Sequence, residues 1–326
     1  MTTSGDLHRQ ADPTTYTAPM LIHAGMQKTG TTWLSQRWFR PLSDGPVTFV
    51  HDFERVRRTV LRPDYGEFDA ATAKAEFAPE ATDAVASGGV LVLSDEALTG
   101  WSFRNRYTRG IAFARLAQAF PDAVVLVTMR EQRSVVLSEY GHYVRFGYGS
   151  SLRDFLRDPP VRPGRALAGI LDYAHFDYLR LHDQLRACFG DRFVLAPMEW
   201  MLDQPDAFAA RVSTALGHDL PAPTAPATRA RANAAWSPLA LNVTRILNRL
   251  RPQDSRHYYV DRRFKPVSVG ARVDRMTPDW LRRRQRRRWQ AQVEAAVGDR
   301  YDAGNAQLAD RLGLDLAALG YRTGAA

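Results

Sequence analysis

Cysteine is nearly absent: Cys188 is the one such residue among 326. That excludes an internal disulfide framework and a cysteine-based metal cluster. Cys188 falls in the helix-like run 179–189, where a small buried thiol is expected. No stretch of about 18 apolar residues occurs, so no membrane-spanning helix is expected. The histidines are scattered without HxH, HxxxH or HExxH spacing, so the sequence offers no metal site. Residues 1–18 carry Asp6 and Asp12 and lack the basic-then-apolar layout of a secretion signal. They read as a flexible tail ahead of a single domain over 19–326, with a cytoplasmic location as the default.

What remains is an ordinary globular composition, 45% hydrophobic and 24% charged. The net charge of +9 is unevenly placed. Residues 229–289 hold 17 Lys/Arg against 4 Asp/Glu, about +13, so the rest of the chain is slightly acidic. Such a segment seeks an anionic partner: a nucleotide, an acidic substrate or a nucleic acid.

Five short apolar runs bounded by turn signals predict buried strands at Met20–Ala24, Val47–His51, Val90–Ser94, Val124–Met129 and Phe193–Ala196. Helical patterns at Thr31–Phe39, Ala70–Ala86, Thr108–Phe120 and Ser134–Arg145 lie between them. Alternation of this kind predicts an α/β fold, a three-layer sandwich around a parallel sheet of about five strands. Beyond it the chain reads as a helical C-terminal extension. Ser237-Pro238 and Thr277-Pro278 each open a helix, Pro221–Thr228 reads as a linker, and Pro252–Met276 reads as a long loop.

The strongest local signal is Gly25-Met26-Gln27-Lys28-Thr29-Gly30-Thr31-Thr32, which leaves the first strand and opens a helix. First-turn N–H groups and the positive end of the helix dipole favour an oxyanion there, and Lys28 adds a mobile charge. The Walker spacing is only partly met. Gly25, Gly30 and Thr32 fit, but Thr31 stands where the lysine belongs. The loop suits an anion better than a magnesium nucleoside triphosphate, although a P-loop kinase or NTPase stays open.

A second turn follows the fourth strand, where Arg130 precedes Ser138 by eight residues. Arginine at a strand's carboxyl end lies where open α/β sheets bind ligands. Together, Lys28-Thr29-Gly30-Thr31-Thr32-Trp33 and Arg130 with Ser138-Glu139-Tyr140 resemble the two nucleotide motifs of the PAPS-dependent sulfotransferases, which have a P-loop-like fold. Segments near Phe189–Phe208, Ser237–Leu250 and Asn305–Leu316 extend the likeness toward bacterial members. Gln132 departs from it, since many members have proline there.

The resemblance implies transfer of a sulfuryl group from 3′-phosphoadenosine-5′-phosphosulfate (PAPS), leaving 3′,5′-bisphosphoadenosine (PAP). Gln27 through Trp33 would surround the 5′-phosphosulfate, with Lys28 on the bridging oxygen. Arg130 and Ser138 would hold the 3′-phosphate, and Arg263 and Lys265 would close over it from a late basic loop. Just past the third strand the family places its base, so Glu96 is the first choice and Asp95 the second. His51 is a weaker alternative, and His142 reads as a helix-surface residue. Asp95-Glu96 after an apolar strand also fits a Walker B acid. A sulfuryl group carries less negative charge than a phosphoryl group, so the reaction is expected to need no metal. The expected partner is a small-molecule or glycan acceptor, with sugars, lipids, peptides and phenolic metabolites all admissible.

The run Arg282–Arg288 covers every side of a helix, so part of it must face solvent. A solvated helix with counter-ions is the first expectation; nucleic-acid binding has no accompanying module to support it, and an acidic acceptor or a membrane surface bearing one is a further option.

Overall fold

The computed structural model describes residues 18–64, 66–103, 108–157, 171–223, 235–250 and 266–324. Five strands form one sheet: β1 (Met20–His23), β2 (Val47–Val50), β3 (Val90–Ser94), β4 (Val124–Met129) and β5 (Phe193–Pro197). Their order is β2-β3-β1-β4-β5, and every pairing is parallel, with Ile22 opposite both Leu93 and Val125. The central strands β1, β3 and β4 are buried along their whole length, as a sheet covered on both faces requires.

The two-residue side-chain period divides the core. Ile22, Leu91, Leu93, Val125 and Val127 point to one face, packed by the helices Ala78–Ala86, Arg109–Ala119, Gln132–Arg145 and Tyr178–Phe189. Leu21, Val90, Val92, Val124 and Leu126 point to the other, against Leu34, Trp38, Phe39 and Phe208. This is the expected α/β sandwich, with helices on both faces.

The expected Ala70–Ala86 helix is two helices, Ala70–Ala75 and Ala78–Ala86, because Pro79 near the start of the second cannot continue the first. Ser237 caps the Pro238–Arg249 helix through the Ala240 N–H at 3.2 Å. The expected loop Pro252–Met276 is corrected in its second half: Pro266–Met276 is helical and packs on Pro238–Arg249. A Cβ on Gly270 would come within 2.0 Å of Thr244 Oγ1 and 2.6 Å of the Trp236 ring, so glycine allows the close approach. Cys188 is half-buried at the edge of the core. The Asp279–Val297 helix leans on the sheet domain through Val293 and Val297, and Trp289 meets the Tyr140 ring edge-on at 5.2 Å. The tail before residue 18 and most of the Pro221–Thr228 linker lie outside the described residues.

Candidate active site

The strand order reverses between β1 and β4, which opens a crevice beyond their carboxyl ends. The glycine loop leaves β1 there. Lys28 has φ 63° and Gly30 has φ 94°, so two left-handed turns fold the loop back over the start of the helix at Thr31. Left-handed backbone at a lysine costs about 1–2 kcal/mol, strain of the kind found at binding sites. The loop is tied down from inside. Thr29 donates to the Met26 carbonyl at 2.7 Å and meets the Thr128 hydroxyl at 2.9 Å. Gln27 donates to the carbonyls of Gly100 at 3.1 Å and Glu96 at 3.4 Å. These two side chains brace the loop, and Trp33 packs against the core below it. Any contact of Gln27 or Thr29 with an anion would therefore come from the main chain.

Beneath the loop, His23 is fully buried with Nδ1 at 2.8 Å from Ser94 Oγ, and burial pushes its pKa down to about 3. It stays neutral, which spares the crevice floor an unsolvated charge.

Arg130 stands at the end of β4. Tyr178 fixes its main chain, donating to the Arg130 carbonyl at 2.7 Å. The Arg130 guanidinium reaches across to donate to the Lys28 carbonyl at 3.3 Å, while its buried Nε has no partner among the described residues. Glu131 caps the following helix through the N–H groups of Arg133 at 2.9 Å and Ser134 at 2.8 Å. At Gln132, where proline is common in the resembling family, the side-chain amide pairs reciprocally with Asn305 at 2.8 and 3.2 Å. That pair fastens the helix start to the C-terminal helix Asp302–Leu312.

The helix Gln132–Arg145 runs from Arg130 toward the β3 side, where His142 lies against Trp101. Under it is a cavity of about 830 Å³ whose walls include Lys28, Thr32, Glu96, Arg130 and Ser138. Five residues separated by up to 110 positions in sequence thus face one space. It also takes in Arg133, Arg145, Trp236, Arg282, Arg286 and Trp289. Burial lowers the Lys28 pKa, opposed by the charges of Glu139 and Glu96, while Arg145 adds to the lowering. Among the described residues no carboxylate lies within ion-pair distance of Lys28.

The two acids after β3 have different surroundings. Glu96 lines the cavity and accepts from the Thr31 hydroxyl at 3.4 Å. Burial raises its pKa, with His142 and Lys28 pulling it back and Glu139 adding to the rise. Asp95 is wholly buried and faces away. Its oxygens take both arms of Arg57, at 2.9 and 3.0 Å, and the Ala97 N–H at 2.8 Å. Both lone-pair sets are engaged and the group does not line the cavity, so the expectation of Asp95 as a base is corrected to that of a structural anchor. His51 is exposed, tilted against Phe49 and edge-on to Phe53, and is not among the residues that line the cavity. Arg263 and Lys265 lie outside the described residues.

Sequence reasoning misplaced His142. It is buried, not on the helix surface, and it lines the cavity with Glu139 Oε2 at 3.8 Å from its Nδ1. The signal was its position four residues after Ser138, one turn along the same face.

No protein-family model matches the chain, and no curated protein matches it. A crystal structure of a sulfotransferase from Alicyclobacillus acidocaldarius is similar at 17% identity. It covers 73% of this chain and 97% of that one, with a TM-score of 0.44. So loose a likeness does not decide the activity. The chemistry of the cavity has to. Among the described residues no group of three or more His, Cys, Asp or Glu side chains is placed to hold a metal.

Proposed function

We propose that this chain is a sulfotransferase, moving a sulfuryl group from PAPS to a hydroxyl or amine. One observation carries the reading: the loop lysine, the strand-end arginine with its serine, and the Glu96 carboxylate converge on the same cavity. The residues suit a bisphosphorylated nucleotide. Among the described residues the buried Nε of Arg130 has no partner and the desolvated Lys28 ammonium has no carboxylate partner, and the volume is in the range of nucleotide-sized pockets.

In this reading Lys28 and the first-turn N–H groups of the Thr31 helix face the 5′-phosphosulfate, and Arg130 and Ser138 hold the 3′-phosphate. PAPS supplies the activated sulfuryl group. Lys28 neutralises charge developing on the oxygen that leaves, and Glu96 takes the proton from the acceptor. Burial makes Glu96 a stronger base than a free carboxylate, and Thr31 helps orient it. Arg263 and Lys265 remain proposed closing residues for the 3′-phosphate.

A P-loop kinase or NTPase is the weaker reading, because the position of the Walker lysine holds Thr31, whose hydroxyl is turned to Glu96. Incubation with radiolabelled PAPS and a pooled set of sugar, lipid, peptide and phenolic acceptors tests the proposal. Label should pass to an acceptor with the native chain and not with Glu96→Gln or Lys28→Ala. Phosphoryl transfer from ATP with Mg²⁺, and none from PAPS, would overturn it.

A further inference from the structure

The Asp279–Val297 helix has two basic faces, and one of them walls the cavity. Arg282, Arg286 and Trp289, spaced at three and four residues, turn to the cavity. Arg283, Arg284, Arg287 and Arg288 turn outward and are exposed. None of these four has an ion-pair or hydrogen-bond partner among the described residues. From position 275 to 293 Asp279 is the one acid against seven arginines.

Two apolar side chains accompany the outward arginines. Trp280 is 60% exposed and stands one turn before Arg283 and Arg284 on the same helix. Met276 is 82% exposed, just ahead of the Thr277-Pro278 turn that begins the helix. Exposed apolar side chains rimmed by charged ones mark interaction sites, and the unpaired arginines of this helix specify the charge of the partner. An exposed indole on a helix of outward guanidinium groups, with an exposed thioether just ahead of that helix, matches the layered chemistry of a bilayer surface. The apolar tips enter the boundary of the acyl chains while the arginines meet anionic headgroups. Nucleic acid would satisfy the arginines but leave Met276 without a role.

We infer that this outer face is a docking surface for an anionic lipid membrane, with Met276 and Trp280 as the inserted anchors. The chain then binds peripherally, since no described helix is long and apolar enough to cross a membrane. The opposite face of the same helix walls the cavity, so docking would bring that wall close to the membrane surface. The inference stands whether or not the cavity transfers sulfuryl groups, because it uses none of the residues assigned to that chemistry.

Flotation of the full chain with vesicles tests it. Vesicles of about 3:1 phosphatidylcholine to phosphatidylserine should carry the protein, and pure phosphatidylcholine should bind it at least tenfold less at ~0.1 M salt. Arg283→Gln, Arg284→Gln, Arg287→Gln and Arg288→Gln combined should lower binding to the acidic vesicles about tenfold or more. Trp280→Ala should lower it about threefold at unchanged charge, with the thermal midpoint preserved in both variants. A native chain that stays in solution with acidic vesicles would overturn the inference. So would equal binding by the four-arginine variant, or tight binding to a single-stranded oligonucleotide with none to vesicles.

Discussion

Arg130 donates from Nη1 to the carbonyl of Lys28 at 3.3 Å, joining residues 102 positions apart. The contact locks the turn after β4 to the turn after β1, so the two cations are positioned by one another before any ligand arrives. Preorganisation of this sort removes an entropic cost from binding. Arg130→Ala should weaken PAP binding by about 10- to 100-fold, the range of a charge-assisted contact worth about 1.5–3 kcal/mol. Ser138→Ala should weaken it only several-fold, as expected for a neutral hydroxyl. Isothermal titration calorimetry with PAP checks both.

Lys28 holds a backbone conformation that suits glycine. Lys28→Gly and Lys28→Ala should both abolish transfer, since each removes the ammonium. They should differ in stability, with Lys28→Gly the more stable by about 1 kcal/mol because alanine retains the left-handed strain. Chemical denaturation of the two variants measures the difference. Equal stability would mean that the loop conformation is not strained.

Neighbouring acids after β3 should respond in opposite ways. Asp95→Asn breaks the bidentate pair with Arg57 and should cost about 2–3 kcal/mol, less than a fully buried pair because Arg57 is 31% exposed. Glu96→Gln should remove transfer by about 10²-fold or more. It should also stabilise the protein at neutral pH. Burial raises the Glu96 pKa in the folded chain, so the folded state binds its proton more tightly than the unfolded state. That group therefore destabilises the fold as pH rises from the ordinary carboxylate value through the raised folded one. The gain from Glu96→Gln should be complete above this window and vanish below it, which thermal unfolding across pH will show. The rate of transfer should rise through the same window as Glu96 loses its proton.

Much of this was legible in the residues. Each of the five strands falls within one residue of its expected end, because a parallel sheet buried on both faces requires continuous apolar runs. Lys28 and Arg130 could be singled out because strand ends and helix starts have fixed polarity, and Ser138 by its eight-residue spacing from Arg130 in the resembling motif. The acids could not be told apart from sequence. Asp95 and Glu96 are adjacent, and only the course of the chain after β3 turns one toward Arg57 and the other into the cavity. His142 was hidden by the overall polarity of its helix, although Trp101 and Phe146 cover its ring.

The Pro266–Met276 helix was missed for a related reason. Gly270 lowers helix propensity, and packing against Pro238–Arg249 overrides it. Gly270→Ala, which would raise propensity in an isolated helix, should instead destabilise the protein by about 1–3 kcal/mol. It should also disturb Trp236 on the cavity wall. A thermal midpoint at or above that of the native chain would refute the tight helix crossing.

Calorimetric titration of the native chain with PAP, beside ATP with Mg²⁺, bears most directly on the proposed nucleotide cavity. The account predicts saturable binding of PAP, at least tenfold weaker in both Lys28→Ala and Arg130→Ala, and weaker binding of ATP whether or not Mg²⁺ is present. Tight ATP binding that depends on Mg²⁺, or PAP binding untouched by either substitution, would contradict it.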